Sequence, residues 1–167
     1  FVLVGGFIFY NTNVLNTYRS SDDFEVLQAD YEKTYKQFEN LQQLEVIEVY
    51  ADIDIYPEDR EVMVRGYYQL LNKTDQPITE LHVTEPIDIT VQSISLPEAE
   101  LIHNERLNYR IYKLAKAVQP GEGFKLQFEM AWLTPGFANF GHSAKLASNG
   151  TFFNNADIFP LLGYQEG

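Results

Sequence analysis

The side chains best suited to hold a metal or move a proton near neutral pH are three histidines, His82, His103 and His142. None lies in H-E-x-x-H, the spacing that places two zinc ligands one helical turn apart. His82-Val83-Thr84-Glu85 has the residue types but falls in a strand-like segment that runs into Pro86. Asp52-Ile53-Asp54 opens like a calcium loop, yet Pro57 stands where the loop needs glycine and Met63 where it needs the bidentate glutamate. These aspartates read better as the wet side of a strand.

Nucleophile chemistry finds no better footing. Ser143, in Gly141-His142-Ser143-Ala144-Lys145, lacks the second glycine of a nucleophile elbow. Gly121-Glu122-Gly123 has no Lys-Ser/Thr and no following helical pattern, so it reads as a hairpin turn rather than a phosphate loop. Glu98 and Glu100 are paired carboxylates only in sequence, and are expected as loop charges. The sequons Asn72-Lys73-Thr74 and Asn149-Gly150-Thr151 both sit on expected turns. The chain therefore reads as non-catalytic, with no metal or other cofactor of its own.

The elements that would position these residues follow from periodicity. From Ser20 to about Gln43, Phe24, Leu27, Tyr31, Tyr35, Phe38 and Leu41 recur at spacings of three and four, one stripe of an amphipathic helix. Ser20 or Ser21 can cap it, and Glu32 with Lys36 forms an i, i+4 pair. The period then changes to two. Val49, Ala51, Ile53 and Ile55 alternate with polar residues as a half-buried strand, Pro57 to Arg60 makes a turn, and Val62, Val64, Tyr68 and Leu70 complete a hairpin. Further strands are expected over Ile78 to Thr84, over Ile87 to Leu96 with a bulge near Gln92-Ser93, and around Leu107, Tyr109 and Ile111. Phe124 to Trp132 alternates strictly, and Ala144 to Thr151 holds the Asn-Gly hairpin signal. The tail from Asn154 onward looks irregular. Seven or eight strands with no helical crossovers predict a mainly β protein, an antiparallel β-sandwich with one N-terminal amphipathic helix.

Composition limits the partners. The 167 residues fit one domain with a real core, and a formal net charge of -12 repels a nucleic-acid backbone. With no cysteine there are no disulfides and no thiolate chemistry. The first ten residues, FVLVGGFIFY, are too few to cross a hydrocarbon core, which takes about 20 in a helix. They are either an element packed into the domain or the exit end of a transmembrane helix. The expected organisation is an apolar lead-in over 1–19, a helix over 20–43 and the sandwich over 44–167.

The stretches DIDIYPEDREVMVRGYYQLLNKTDQPITELHV and NGTFFNNADIFPLLGY resemble the N-terminal β-sandwich domain of gluzincin aminopeptidases, the group of aminopeptidase N and leukotriene hydrolase. NTNVLN followed by the YEKTYK helix resembles the extracytoplasmic region of bacterial membrane proteins that fuse ABC-type permease helices to such a module. The resemblance spans nearly the whole chain. It implies that the zinc ligands, the general-base glutamate and a G-A-M-E-N motif belong to a following peptidase domain, and none of these motifs occurs in the 167 residues. It further implies membrane anchoring, with partners in that domain and in membrane segments of the same polypeptide.

In the family the last hairpin approaches the active-site cleft, which marks Asn149, Gly150, Thr151, Phe152, Phe153, Phe159 and Pro160 as candidate cleft-facing or interdomain residues. The usual glutamine is absent, and Leu161, Leu162 and Gly163 replace the cysteine and acidic residues that often follow Phe-Pro. An independent extracytoplasmic module that grips a peptide or sugar with exposed aromatics is the competing reading.

Overall fold

A computed structural model describes residues 1–16, 18–87, 89–133, 135–137, 146–147 and 150–166. Two antiparallel four-stranded sheets face each other. The first has the order β1 (Glu45–Tyr56), β2 (Glu61–Leu71), β7 (Gly123–Leu133), β4 (Thr90–Ser95). The second has the order β10 (Leu161–Leu162), β3 (Ile78–Thr84), β6 (Tyr109–Val118), β5 (Ala99–Asn104). Two two-residue strands, β8 (Leu146–Ala147) and β9 (Gly150–Thr151), pair as a separate small sheet, with Leu146 buried in the core. Three α-helices lie among the described residues: α1 (Val2–Phe9), α2 (Ser21–Tyr35) and α3 (Asn155–Ile158).

Alternation places the core where it was expected. Val62, Val64, Tyr68 and Leu70 on β2 pair in register with Trp132, Met130, Leu126 and Phe124 on β7. Leu81, Val83 and Tyr112 meet them from the second sheet. Gly66 lies in this row because a Cβ there would stand 2.4 Å from the Tyr50 carbonyl oxygen and 2.9 Å from the Phe128 ring. The bulge is present between Val91 and Ser93, letting Val91 and Ile94 both turn toward the core.

The second sheet is covered on its outer side as well. Ser20 caps α2 through a reciprocal box with Asp23. The Ser20 N–H and hydroxyl, donating to the Asp23 carboxylate, hold that acid below its ordinary range. Leu27, Tyr31, Tyr35 and Phe38 pack on Leu107, Tyr109 and Ile111, with the Tyr35 and Tyr109 rings stacked at 3.9 Å between centroids. The Glu32–Lys36 pair closes at 3.8 Å. The helix ends sooner than expected: a single 3-10 turn, Lys36–Phe38, follows Tyr35, and Leu41 is exposed beyond it.

Several expectations change. β1 exists, but only Ala51 and Asp54 along it are even partly buried, so it is not a half-buried strand. β5 covers Ala99 to Asn104, putting Glu100 in a strand rather than a loop. β4 begins at Thr90, leaving Ile87 exposed on the preceding turn. The Gly121-Glu122-Gly123 turn, with Gly121 at φ +80, joins strands of opposite sheets rather than a hairpin. The tail is ordered: α3 carries an Asn154/Asp157 capping box, and β10 pairs with Val83 and Thr84 of β3.

Candidate interdomain surface

The C-terminal segment divides the candidate residues into two groups. Phe159 is buried against Phe128 at 5.7 Å, and Pro160 is fully buried with its carbonyl accepting a hydrogen bond from the Tyr68 hydroxyl at 3.0 Å. Phe153 is half-buried against Trp132. These three hold the tail onto the core. Gly150, Thr151 and Phe152 face solvent, Phe152 with 79% of its surface open. Asn149 lies outside the described residues, as do His142 and Ser143.

Beyond Pro160 the chain crosses to the second sheet. Gly163, at φ +76, turns it so that its N–H donates to the His82 carbonyl and its own carbonyl accepts from the Thr84 hydroxyl. That uses the only proton of Thr84, so the Tyr31 hydroxyl, 3.2 Å away, donates to Thr84 and accepts from the Gln165 N–H at 3.1 Å. Tyr164 stacks on Tyr31 and donates to Glu32 at 2.6 Å. The tail thus ties α2 to β3. Where it ends, a half-open groove of about 380 Å³ runs between Phe24, Leu27 and Tyr31 of α2, Ile87, Leu107 and Gln165.

Both described histidines, His82 and His103, lie beside carboxylates. His82 is fully buried, its Nδ1 3.0 Å from the Tyr109 hydroxyl and its Nε2 3.4 Å from Glu80. A carboxylate only accepts, so Nε2 carries the proton and Nδ1 accepts from Tyr109. Burial pushes the imidazole pKa down, against a smaller opposing pull from Glu80. His103 Nε2 lies 3.4 Å from Glu85, which also pairs with Arg110. That Glu85–Arg110–His103 cluster had no signal in the sequence, because its members come from three different segments. Among the described residues, no three metal-ligating side chains converge. Asp54 instead meets Arg65, which also reaches Glu129 at 3.2 Å and so links β1, β2 and β7.

Among the described residues, β1 and α1 both present apolar side chains to solvent. Along β1, Val49, Ile53 and Ile55 lie opposite the core residues Tyr68, Val64 and Val62, yet are 38 to 53% exposed. α1 is barer still: no residue from Phe1 to Tyr10 is buried. Its helical path continues through a wider π-type turn, Tyr10–Leu15. That turn is fixed to the domain by Asn16, whose amide donates to the carbonyls of Pro135 (2.8 Å) and Phe137 (3.3 Å). Phe7 touches Phe137 at 5.8 Å. All ten of these residues are exposed, with Phe7 resting against Phe137. No described helix is long and apolar enough to cross a membrane.

No protein-family model matches the chain. No curated protein matches it either.

Proposed function

We propose that the chain is a non-catalytic scaffold domain on the extracytoplasmic side of a membrane-anchored, aminopeptidase-like protein, packing against a zinc peptidase domain that follows it in the same polypeptide. The observation that carries this reading is α1: eight residues without a charge, apolar on every side, and seated on the domain through Asn16. A helix apolar all round calls for lipid or protein around it. Such a helix held at a fixed base would set how the sandwich stands on a bilayer. Gly150, Thr151 and Phe152, exposed at the other end of the chain, supply a contact for the following domain, while Phe153, Phe159 and Pro160 brace it.

The test is to read the gene on both sides of these 167 residues and assay its product. An H-E-x-x-H motif downstream, apolar spans upstream and zinc-dependent peptidase activity only in the full-length product would support the reading. Turnover of aminoacyl substrates by the 167-residue chain with zinc, abolished by chelation, would overturn it.

The binding-module reading has one observation of its own. On the open outer face of the first sheet, Tyr50 and Tyr67 stack at 5.5 Å and Lys125 sits 3.7 Å over the Tyr67 ring. Tyrosine platforms of this kind suit a sugar or a peptide side chain. A glycan array with Tyr50→Ala as control separates the two readings.

A further inference from the structure

The outer edge of β1 pairs with nothing among the described residues, because β1 stands first in the order β1-β2-β7-β4. Long open edges are usually blunted by lysine, proline or an inward-pointing charge. β1 is 12 residues long and has no lysine, proline or inward-pointing charge; the charges it carries, Glu45, Glu48, Asp52 and Asp54, are all acidic and lie on its outer face. Its single irregularity, between Val46 and Glu48, lies near its start. The short turn from β4 to β5 sets those two edges on one side of the sandwich, so β1 and β10 share the other side. β10 has only two residues. Among the described residues the wall facing β1 therefore stops short, and Val49, Ile53 and Ile55 point inward yet stay 38 to 53% exposed.

Charge decides what such an edge accepts. Glu48, Asp52 and Asp54 all lie on the outer face, opposite Gln69, Arg65 and Met63. Arg65 neutralises Asp54, whereas Glu48 and Asp52 have no cationic partner among the described residues. A second copy of the chain is a poor occupant. Any two-fold antiparallel register centred from Tyr50 to Ile53 sets a carboxylate of one copy directly opposite a carboxylate of the other, and like charges so placed repel.

We propose that the β1 edge receives an extended segment of a partner protein in which apolar and basic residues alternate. Its apolar side chains extend the inner row over Val49, Ile53 and Ile55, and its lysines or arginines face Glu48 and Asp52. The main chain supplies the register and the alternation supplies the selectivity. This proposal stands on β1 alone, whether or not a membrane anchor or a peptidase domain flanks the chain.

The experiment uses the whole chain and two synthetic octapeptides, one alternating valine with lysine and one alternating valine with glutamate, read by residue-resolved hydrogen exchange. The expected result is protection of alternate β1 amides by the lysine peptide, with the glutamate peptide binding at least roughly tenfold more weakly. The double variant Glu48→Lys, Asp52→Lys, checked for unchanged circular dichroism, is expected to invert that preference. Equal binding of both peptides, protection confined to another strand, or an unchanged preference in the double variant overturns the proposal. So does protection of β1 that rises with the chain's own concentration and a doubled mass, which would make a second copy the occupant.

Discussion

The imidazole of His82 on β3 and the hydroxyl of Tyr109 on β6, 3.0 Å apart and both buried, tie two neighbouring strands of the second sheet on the face that α2 covers, where Tyr35 stacks on Tyr109. Because burial keeps His82 neutral, its pKa when folded lies below the ordinary 6.5. As pH falls through about 6.5, the unfolded chain gains a proton that the folded chain refuses, so stability present above that pH is progressively lost below it. The slope from this one group reaches at most about 1.4 kcal/mol per pH unit. Urea titrations between pH 5 and 7.5 should show His82→Gln losing less stability on acidification than the parent. Parallel profiles would contradict the buried neutral imidazole.

Asn72 is 1% exposed and uses its whole side chain. Its amide donates to the carbonyls of Gln76 and Val118, each at 2.8 Å, and its oxygen accepts from the Thr74 N–H and hydroxyl. Asn72→Ala should cost about 2–4 kcal/mol, since the partners it leaves are largely out of water. The same burial predicts that intact-mass analysis after expression in a glycosylating host will find Asn72 unmodified.

Tyr31 holds the tail with both its hydroxyl and its ring. Tyr31→Phe removes the acceptor of the Gln165 N–H and the donor to Thr84 while keeping the ring against Tyr164. About 1 kcal/mol of stability should be lost. Exchange of the Gln165 amide should quicken while amides of β2 and β7 are unchanged.

Gly66→Ala should cost about 1–3 kcal/mol, because the new methyl would press on the Tyr50 carbonyl and the Phe128 ring. Thermal unfolding measures the loss. Exchange should quicken first where β1 pairs with β2 around Ala51.

Those costs track how the fold was written into the residues. β7 was legible because each of Leu126, Phe128, Met130 and Trp132 meets the core, so its alternation and its burial coincide. β1 alternates as well, yet its burial depends on β10, a two-residue strand more than a hundred positions later, and nothing local carries that information. β5 escaped notice because Leu101 and Ile102, adjacent and both exposed on an edge, break the period of two. The tail looked irregular because hydrogen bonds to β3 and α2 order it, rather than any repeat of its own. Of the candidate surface, the aromatic content of the last hairpin was visible. The division between bracing residues, Phe153, Phe159 and Pro160, and open ones, Gly150 to Phe152, required the packing of Trp132, Phe128 and Tyr68.

Hydroxyl-radical footprinting of the full-length gene product in native membranes, set beside the 167-residue chain in solution, reads the scaffold account most directly. Phe7, Phe9 and Phe152 should be labelled strongly in the short chain and protected in the full-length protein, with Tyr50 labelled alike in both. Equal labelling of the three phenylalanines in the two samples would contradict the account.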